Sequence, residues 1–137
     1  MAAYTFTASA VLQSGAPQIG IAGAAIAAGE FLYQHSDTKL YKAESNDTAA
    51  KARVVGIAVN SAAIGQPVGY VTSGEITVDA AMFASVALPL ILSPTAGKCE
   101  DVGDIAAEDW LTFLGWSTAT NKFMLRIIAT NVQVPAL

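Results

Sequence analysis

Short alternating segments separated by turn-forming residues constrain the fold of this chain more than any other feature. Polar and apolar residues alternate with a period of two, and Ser, Gly, Asp and Asn separate the segments at intervals of about 8–12 residues. That spacing is typical of β-sandwiches and β-barrels. The predicted strands cover residues 30–34, 39–43, 53–59, 67–72, 75–78, 86–92, 109–116 and 122–129. We therefore expect an all-β fold, a small β-sandwich or β-barrel with at most short helices.

Turn signals add local detail to this prediction. Residues 67–72 and 75–78 flank Ser73-Gly74, which predicts a hairpin across that pair. Residues 35–38 (His-Ser-Asp-Thr) predict the turn between the first two strands. Residues 49–52 are a possible helical turn. The alanine-rich stretch 22–28 is a second possible short helix, although its internal and flanking glycines disfavour one.

The first 18 residues predict an extended N-terminal arm and hinge ahead of a β-rich domain over 19–137. Strict alternation places Tyr4, Phe6, Ala8 and Leu12, together with Ala10, on one face of the arm. Fully extended, an arm of this length spans roughly 50 Å. It has two possible positions: folded back as an edge strand of its own domain, or added as a strand to a neighbouring subunit.

The order of segments in residues 30–62 recurs in residues 88–119. Each stretch contains a strand, a Ser-containing turn, a lysine, an acidic loop, an Ala-Ala pair and a second apolar strand. Two readings remain open. The domain contains two related β-units, 19–78 and 79–137, or shared alanine and turn residues produce the similarity by coincidence.

Composition limits the classes of function. Of the 137 residues, 53% are hydrophobic and only 13% are charged, against about 25% charged in an average soluble domain. We infer that part of the surface does not face water. The net charge of −4 argues against a nucleic-acid partner, and no apolar run reaches the length of about 20 residues that a membrane helix needs.

Candidate chemical groups are few. His35 beside Ser36 and Asp37 is better explained by a turn than by a catalytic triad, because adjacent residues do not stack on one another. The acidic run 100–109 lacks the ligand spacing of a calcium loop and predicts a solvated loop. Cys99 is interpreted as a structural thiol. We expect no catalytic residue, cofactor or metal, and therefore no enzyme.

Two further segments are candidates for contact with a partner. Trp110, Phe113, Trp116 and Phe123 form an aromatic cluster, either core or an exposed binding surface. The C-terminal tail 130–137 carries no charged side chain and is expected to be a second segment covered by an interface.

Four runs of residues carry a resemblance to a known family. They follow a pattern of strand, Ser/Asp turn, Lys-bearing strand, acidic loop, "VGI" strand and "SG" hairpin. The four runs occupy residues 27–33, 36–43, 54–59 and 70–76. Over about residues 22–78 the chain resembles the head decoration (capsid cement) proteins of tailed bacteriophages. It is longer than the smallest members of that family.

The resemblance implies a homotrimer that is made in the bacterial cytoplasm and lies on the outer surface of the virion head. Its partner is then the major capsid protein, engaged through the arm residues Tyr4, Phe6, Ala8 and Leu12, and its role is to stabilise the expanded shell. The alternatives are a receptor- or carbohydrate-binding β-module of the virion, and a tail-tube or connector component.

Overall fold

The computed structural model describes residues 3–13 and 16–135, without the side chain of Gln13. The described chain is nearly all β and forms two antiparallel sheets packed as a small β-sandwich, which confirms the predicted fold class. Its helical content consists of short 3₁₀ turns at Ala8–Ala10, Ala50–Ala52 and Val102–Asp104. Residues 1, 2, 14 and 15 of the predicted arm and hinge lie outside the described residues, as do residues 136 and 137 of the tail.

Among the described residues, eleven strands make up the two sheets. The six-stranded sheet has the order β1-β7-β11-β10-β8-β9, and the five-stranded sheet has the order β2-β6-β5-β3-β4. In chain order the strands are β1 Leu12–Gln13, β2 Gln18–Ile21, β3 Phe31–Gln34, β4 Leu40–Lys42, β5 Val54–Ala58, β6 Pro67–Val71, β7 Ser73–Thr77, β8 Pro89–Leu92, β9 Cys99–Asp101, β10 Trp110–Ala119 and β11 Lys122–Gln133.

The two sheets repeat one topology. Strands β2 to β6 pair in the order β2-β6-β5-β3-β4, and strands β7 to β11 pair in the equivalent order β7-β11-β10-β8-β9. A 3₁₀ turn follows the third strand of each set, at Ala50–Ala52 in the first and Val102–Asp104 in the second. We call β2 to β6 the first unit and β7 to β11 the second unit, so the division falls between Val71 and Ser73 and not after residue 78 as in the expected units. The recurrence of segments along the sequence therefore corresponds to a repeated arrangement of strands.

The predicted hairpin across Ser73-Gly74 is wrong. Strand β6 pairs with β2 and β5, whereas β7 pairs with β1 and β11, so the chain passes from one sheet to the other at Thr72. Ser73 and Gly74 are the first residues of β7 and lie opposite Arg126 and Leu125. Ser73 and Gly74 thus lie where the chain passes from one sheet to the other, because β6 and β7 do not pair with each other.

The principal core lies between the sheets. Side chains alternate across β3, so Phe31 and Tyr33 enter this core while Leu32 points to the far side of the five-stranded sheet. A smaller cluster surrounds Leu32 and is covered by Ile26 and Ala62, whose backbones exchange two hydrogen bonds of 2.9 Å. The first unit therefore covers the outer face of its sheet with its own loops.

Residues 22–28 do not form the possible helix. Ala22 makes a parallel bridge to Leu40, and Gly23 donates a backbone hydrogen bond of 2.8 Å to the Leu40 carbonyl. A Cβ atom at Gly23 would lie 2.2 Å from the ring of Tyr41, so the close approach requires glycine. Extended contacts with β4 take the place of helical hydrogen bonds in this segment.

The pairing within the long hairpin of β10 and β11 shifts register at three places. At Gly115, with φ +139, a Cβ atom would lie 1.8 Å from the Met124 carbonyl oxygen. Near the other end, Leu111 and Thr112 lie opposite Val132 and Ala129, so Thr130 and Asn131 bulge out of the pairing. Since β7 pairs with β11 over residues 122–126, this bulge lies on a free edge. Residues 130–133 of the predicted tail thus belong to β11.

Candidate interaction surface

Tyr4 anchors the N-terminal arm on its own domain. Its backbone N–H donates to the Cys99 carbonyl at 2.8 Å, and its hydroxyl donates to Asp101 Oδ1 at 2.5 Å. Its ring packs edge-on against Phe83 with the centroids 5.2 Å apart. Burial and the hydrogen bond to Asp101 raise the pKa of the Tyr4 hydroxyl, so it remains protonated as a donor.

Phe6 continues the anchor and the arm then changes direction. The Phe6 ring stacks on Phe123 with the centroids 5.8 Å apart, and the Thr7 N–H donates to Asp79 at 2.8 Å. The 3₁₀ turn Ala8–Ala10 interrupts the alternation, so Val11 is buried and Leu12 is 61% exposed. The expectation of one common face is therefore wrong beyond Phe6.

The described part of the arm pairs with the six-stranded sheet at two places. Tyr4 bridges β9, the last strand of the sheet, and Leu12 pairs with Thr77 of β7 near its other edge. Of the four predicted contact residues, Tyr4 and Phe6 pack on the core of the same chain, whereas Ala8 and Leu12 face solvent. The described part of the arm therefore packs on its own domain.

The face of the six-stranded sheet that points away from the core carries a set of apolar side chains, which we call the outer face. Met124 lies between the core residues Phe123 and Leu125 and therefore points outward. Residues paired directly across two strands point to the same face of the sheet, so a residue that pairs with an outward residue also points outward. The outward pairs on the hairpin are Leu111 with Val132, Phe113 with Ile128, and Trp116 with Met124.

One row on this outer face crosses four strands: Glu100, Ile91, Phe113 and Ile128 lie side by side on β9, β8, β10 and β11. Glu100 and Ile91 are buried, at 4% and 1% exposure, whereas Ile128 at the other end of the row is 53% exposed. The 3₁₀ turn Val102–Asp104 contacts β8. The row is therefore buried at its β9 and β8 end and exposed at its β11 end.

The aromatic cluster is divided between core and surface. Phe123 is fully buried and Trp110 packs against the same core. Phe113 and Trp116 are half-buried on the outer face. Phe123 and Trp110 therefore belong to the core, whereas Phe113 and Trp116 belong to the surface.

Loops of the same chain cover the outer face of the sheet in the first unit but not the hairpin pairs of the second unit, as far as the described residues show. In the first unit the connection between β5 and β6 carries Ala62, which pairs with Ile26 over the sheet. In the second unit β10 and β11 are joined directly at Thr120 and Asn121, so no equivalent loop is present. Val132 remains 57% exposed. Within the described residues, the hairpin pairs of the second unit have no intramolecular cover of this kind.

Glu100 is an acidic group in an unfavourable environment. The residue is only 4% exposed, and its Oε1 has no hydrogen-bond partner. Burial, followed by the negative charges of Asp109 and Asp104, raises its pKa to about 7. The prediction of a solvated acidic loop is therefore wrong for Glu100 and for Asp109, which is 5% exposed.

The remaining candidate groups have structural contacts. His35 lies in the predicted turn, where its N–H donates to the Lys39 carbonyl at 3.0 Å, and its ring packs edge-on against Tyr33 and Tyr41. Cys99 is fully buried and burial raises its pKa. In the part of the chain that the structure describes we find no pocket, and no group of three His, Cys, Asp or Glu that could hold a metal ion.

Comparison with known proteins gives no assignment: neither a protein-family model nor a curated protein matches the chain. Over the described residues, no helix is long and apolar enough to cross a membrane.

Proposed function

We propose that this chain is a structural virion protein that decorates the outside of a tailed-phage head. The observation that carries the proposal is the outer face of the second unit, where paired apolar residues lack the intramolecular cover that the first unit possesses. Exposed contiguous apolar surface favours protein contact. The low charge and the sequence resemblance support the same assignment.

The proposed mechanism is adhesion to the shell without chemistry. Burying the outer face against the major capsid protein contributes about 25 cal/mol per Å² of apolar surface, before the costs of association. A homotrimer presents three such faces, and their joint engagement strengthens weak single contacts through effective concentration. Within the arm, Ala8 and Leu12 are available to a partner, whereas Tyr4 and Phe6 hold the arm in place.

Cosedimentation with undecorated heads of the encoding phage tests the proposal. We expect wild-type protein to pellet with heads, and Ile128→Asp to remain in the supernatant because it places a charge on the outer face. Ile64→Asp is the matched control, since Ile64 is 71% exposed but belongs to the first unit. Leu12→Asp tests the arm in the same assay, with each variant first shown to be folded by circular dichroism.

Several outcomes would contradict this assignment. Equal binding by Ile128→Asp and wild type would exclude the outer face as the contact. Failure of the wild type to bind heads, together with a monomeric mass by light scattering, would reject the decoration role. Rings or tubes in negative-stain images would favour the tail-tube or connector alternative.

A second candidate function follows from Trp116 and Phe113 on the outer face. Half-exposed aromatic rings on a sheet also suit carbohydrate binding, because apolar sugar faces stack on them. Titration with host-surface glycans would then change tryptophan fluorescence in the wild type but not in Trp116→Ala. An unchanged signal at millimolar glycan would reject this candidate.

A further inference from the structure

Arg126 lies among the apolar side chains of the outer face. Its two neighbours along β11 pack in the core, so Arg126 points outward, between the outward Met124 and Ile128 on the same strand. On β10, Trp116 pairs with Met124 and Phe113 pairs with Ile128. Arg126 itself is exposed. A single cation is therefore flanked by apolar side chains on two strands.

No acidic side chain among the described residues balances this charge. Arg126 lies opposite the exposed Ser73 on β7. Glu75, two residues further along β7, is engaged elsewhere: its Oε1 lies 3.9 Å from Lys122 Nζ, and its Oε2 accepts a hydrogen bond of 3.2 Å from Thr118. Within the described chain, the Arg126 side chain makes no hydrogen bond and no ion pair. Its guanidinium is therefore left to the solvent.

A partner that covers the neighbouring apolar residues also removes water from the Arg126 guanidinium. An unpaired charge is costly to bury, because protein groups must replace the water that it loses. A carboxylate is the fitting replacement, since its two oxygens accept two parallel hydrogen bonds from the guanidinium. Arginine among apolar contacts is also typical of the residues that dominate binding at protein interfaces. Charge complementarity therefore calls for an acidic group in whatever covers this face.

A second copy of the outer face has no such group to offer. Among the described residues, the acids that its strands turn outward are Glu75 and Glu100. Glu75 is engaged with Lys122, and Glu100 is only 4% exposed. Neutral glycans carry no carboxylate either. The occupant that fits Arg126 is therefore a different polypeptide.

We propose that the outer face receives a segment of the major capsid protein in which an Asp or Glu carboxylate binds Arg126. Apolar residues beside that acid cover Met124 and Ile128. The inference rests on the decoration role proposed above, and it adds what the partner segment must contain. Arg126 then selects the segment, because an apolar segment without the acid leaves the guanidinium buried and unpaired.

Affinity for undecorated heads of the encoding phage, measured by cosedimentation over a range of protein concentrations, tests the role of Arg126. We expect Arg126→Gln to weaken binding by at least about 10-fold, since it removes one partner of a desolvated charge pair. Lys39→Gln is the matched control and should bind as the wild type does. Lys39 is also exposed and, among the described residues, its side chain has no ion pair, but it lies beside β4 of the first unit.

Amidated heads show whether the partner group is a carboxylate. Carbodiimide and glycinamide convert exposed carboxyl groups of the heads to neutral amides before the protein is added. Other losses caused by this treatment affect the wild type and Arg126→Gln equally, so the ratio of their affinities isolates the pair. We expect that ratio to fall from about 10 or more on untreated heads to about 1 on amidated heads.

Two results would overturn the inference while leaving the decoration role intact. In one, Arg126→Gln binds untreated heads as tightly as the wild type although Ile128→Asp does not bind. In the other, the affinity ratio is the same on amidated and untreated heads. Concentration-dependent dimers in light scattering that Arg126→Gln abolishes would place a second copy on this face instead. Failure of the wild type to bind heads would reject the decoration role itself, and this partner with it.

Discussion

Replacing Phe6 by alanine tests whether the arm is part of the folded domain. The Phe6 ring stacks on Phe123 and lies edge-on to Phe83, with the centroids 6.4 Å apart in the second pair. Truncating a fully buried phenylalanine costs about 3–5 kcal/mol. Because Phe6 is half-buried, we expect the free energy of unfolding to fall by about 2–3 kcal/mol, including about 1 kcal/mol for the lost ring contacts.

Urea unfolding followed by tryptophan fluorescence measures this loss. The midpoint should fall while the slope stays constant, and the melting temperature should decrease by about 6–9 °C for a chain of this size. Leu12→Ala is the control within the same arm, and its effect should stay below about 0.5 kcal/mol because Leu12 is exposed. If Phe6→Ala were neutral, or if both variants were equally destabilised, the arm would not be docked as described.

Two further predictions concern single residues of the second unit. Gly115→Ala should destabilise the chain by more than about 2 kcal/mol, because its Cβ would meet the Met124 carbonyl at a backbone φ unfavourable to alanine; Gly103→Ala, with no atom within 4 Å of its Cβ position, should be near neutral in the same urea assay. The Cys99 thiol should not react with a disulfide reagent at neutral pH until the protein is unfolded, because it is fully buried with a raised pKa; rapid labelling of native protein would contradict this.

Sequence patterns located most strands because alternation and turn residues are local signals. They predicted segments near β3, β4 and β5 to within about two residues. They could not assign strands to sheets, since the partner of a strand depends on the whole chain. This is why the segments at β6 and β7 were expected to pair with each other, although the structure gives them different partners.

The candidate interaction surface was harder to predict from the sequence than the strands were. The alternation around Tyr4 and Phe6 is the same for a free arm as for one that packs on its domain. Their ring contacts with Phe83 and Phe123 join residues far apart in the sequence, so they are visible only in the structure. Glu100 falls in an acidic run that reads as solvated, yet its place on β9 turns it toward Ile91. Its burial depends on tertiary contacts, which no local pattern indicates.

The bulge at Thr130 and Asn131 has a consequence for the protein at high concentration. A straight free edge with exposed Ile128 and Val132 would template strand-to-strand growth into fibrils. Asn131 instead has φ 58, and Arg53 Nη2 of the first unit donates to its side-chain oxygen at 3.3 Å. The kinked edge interrupts the ladder of backbone donors and acceptors, so the apolar face can remain open to a partner without the chain polymerising through its own backbone.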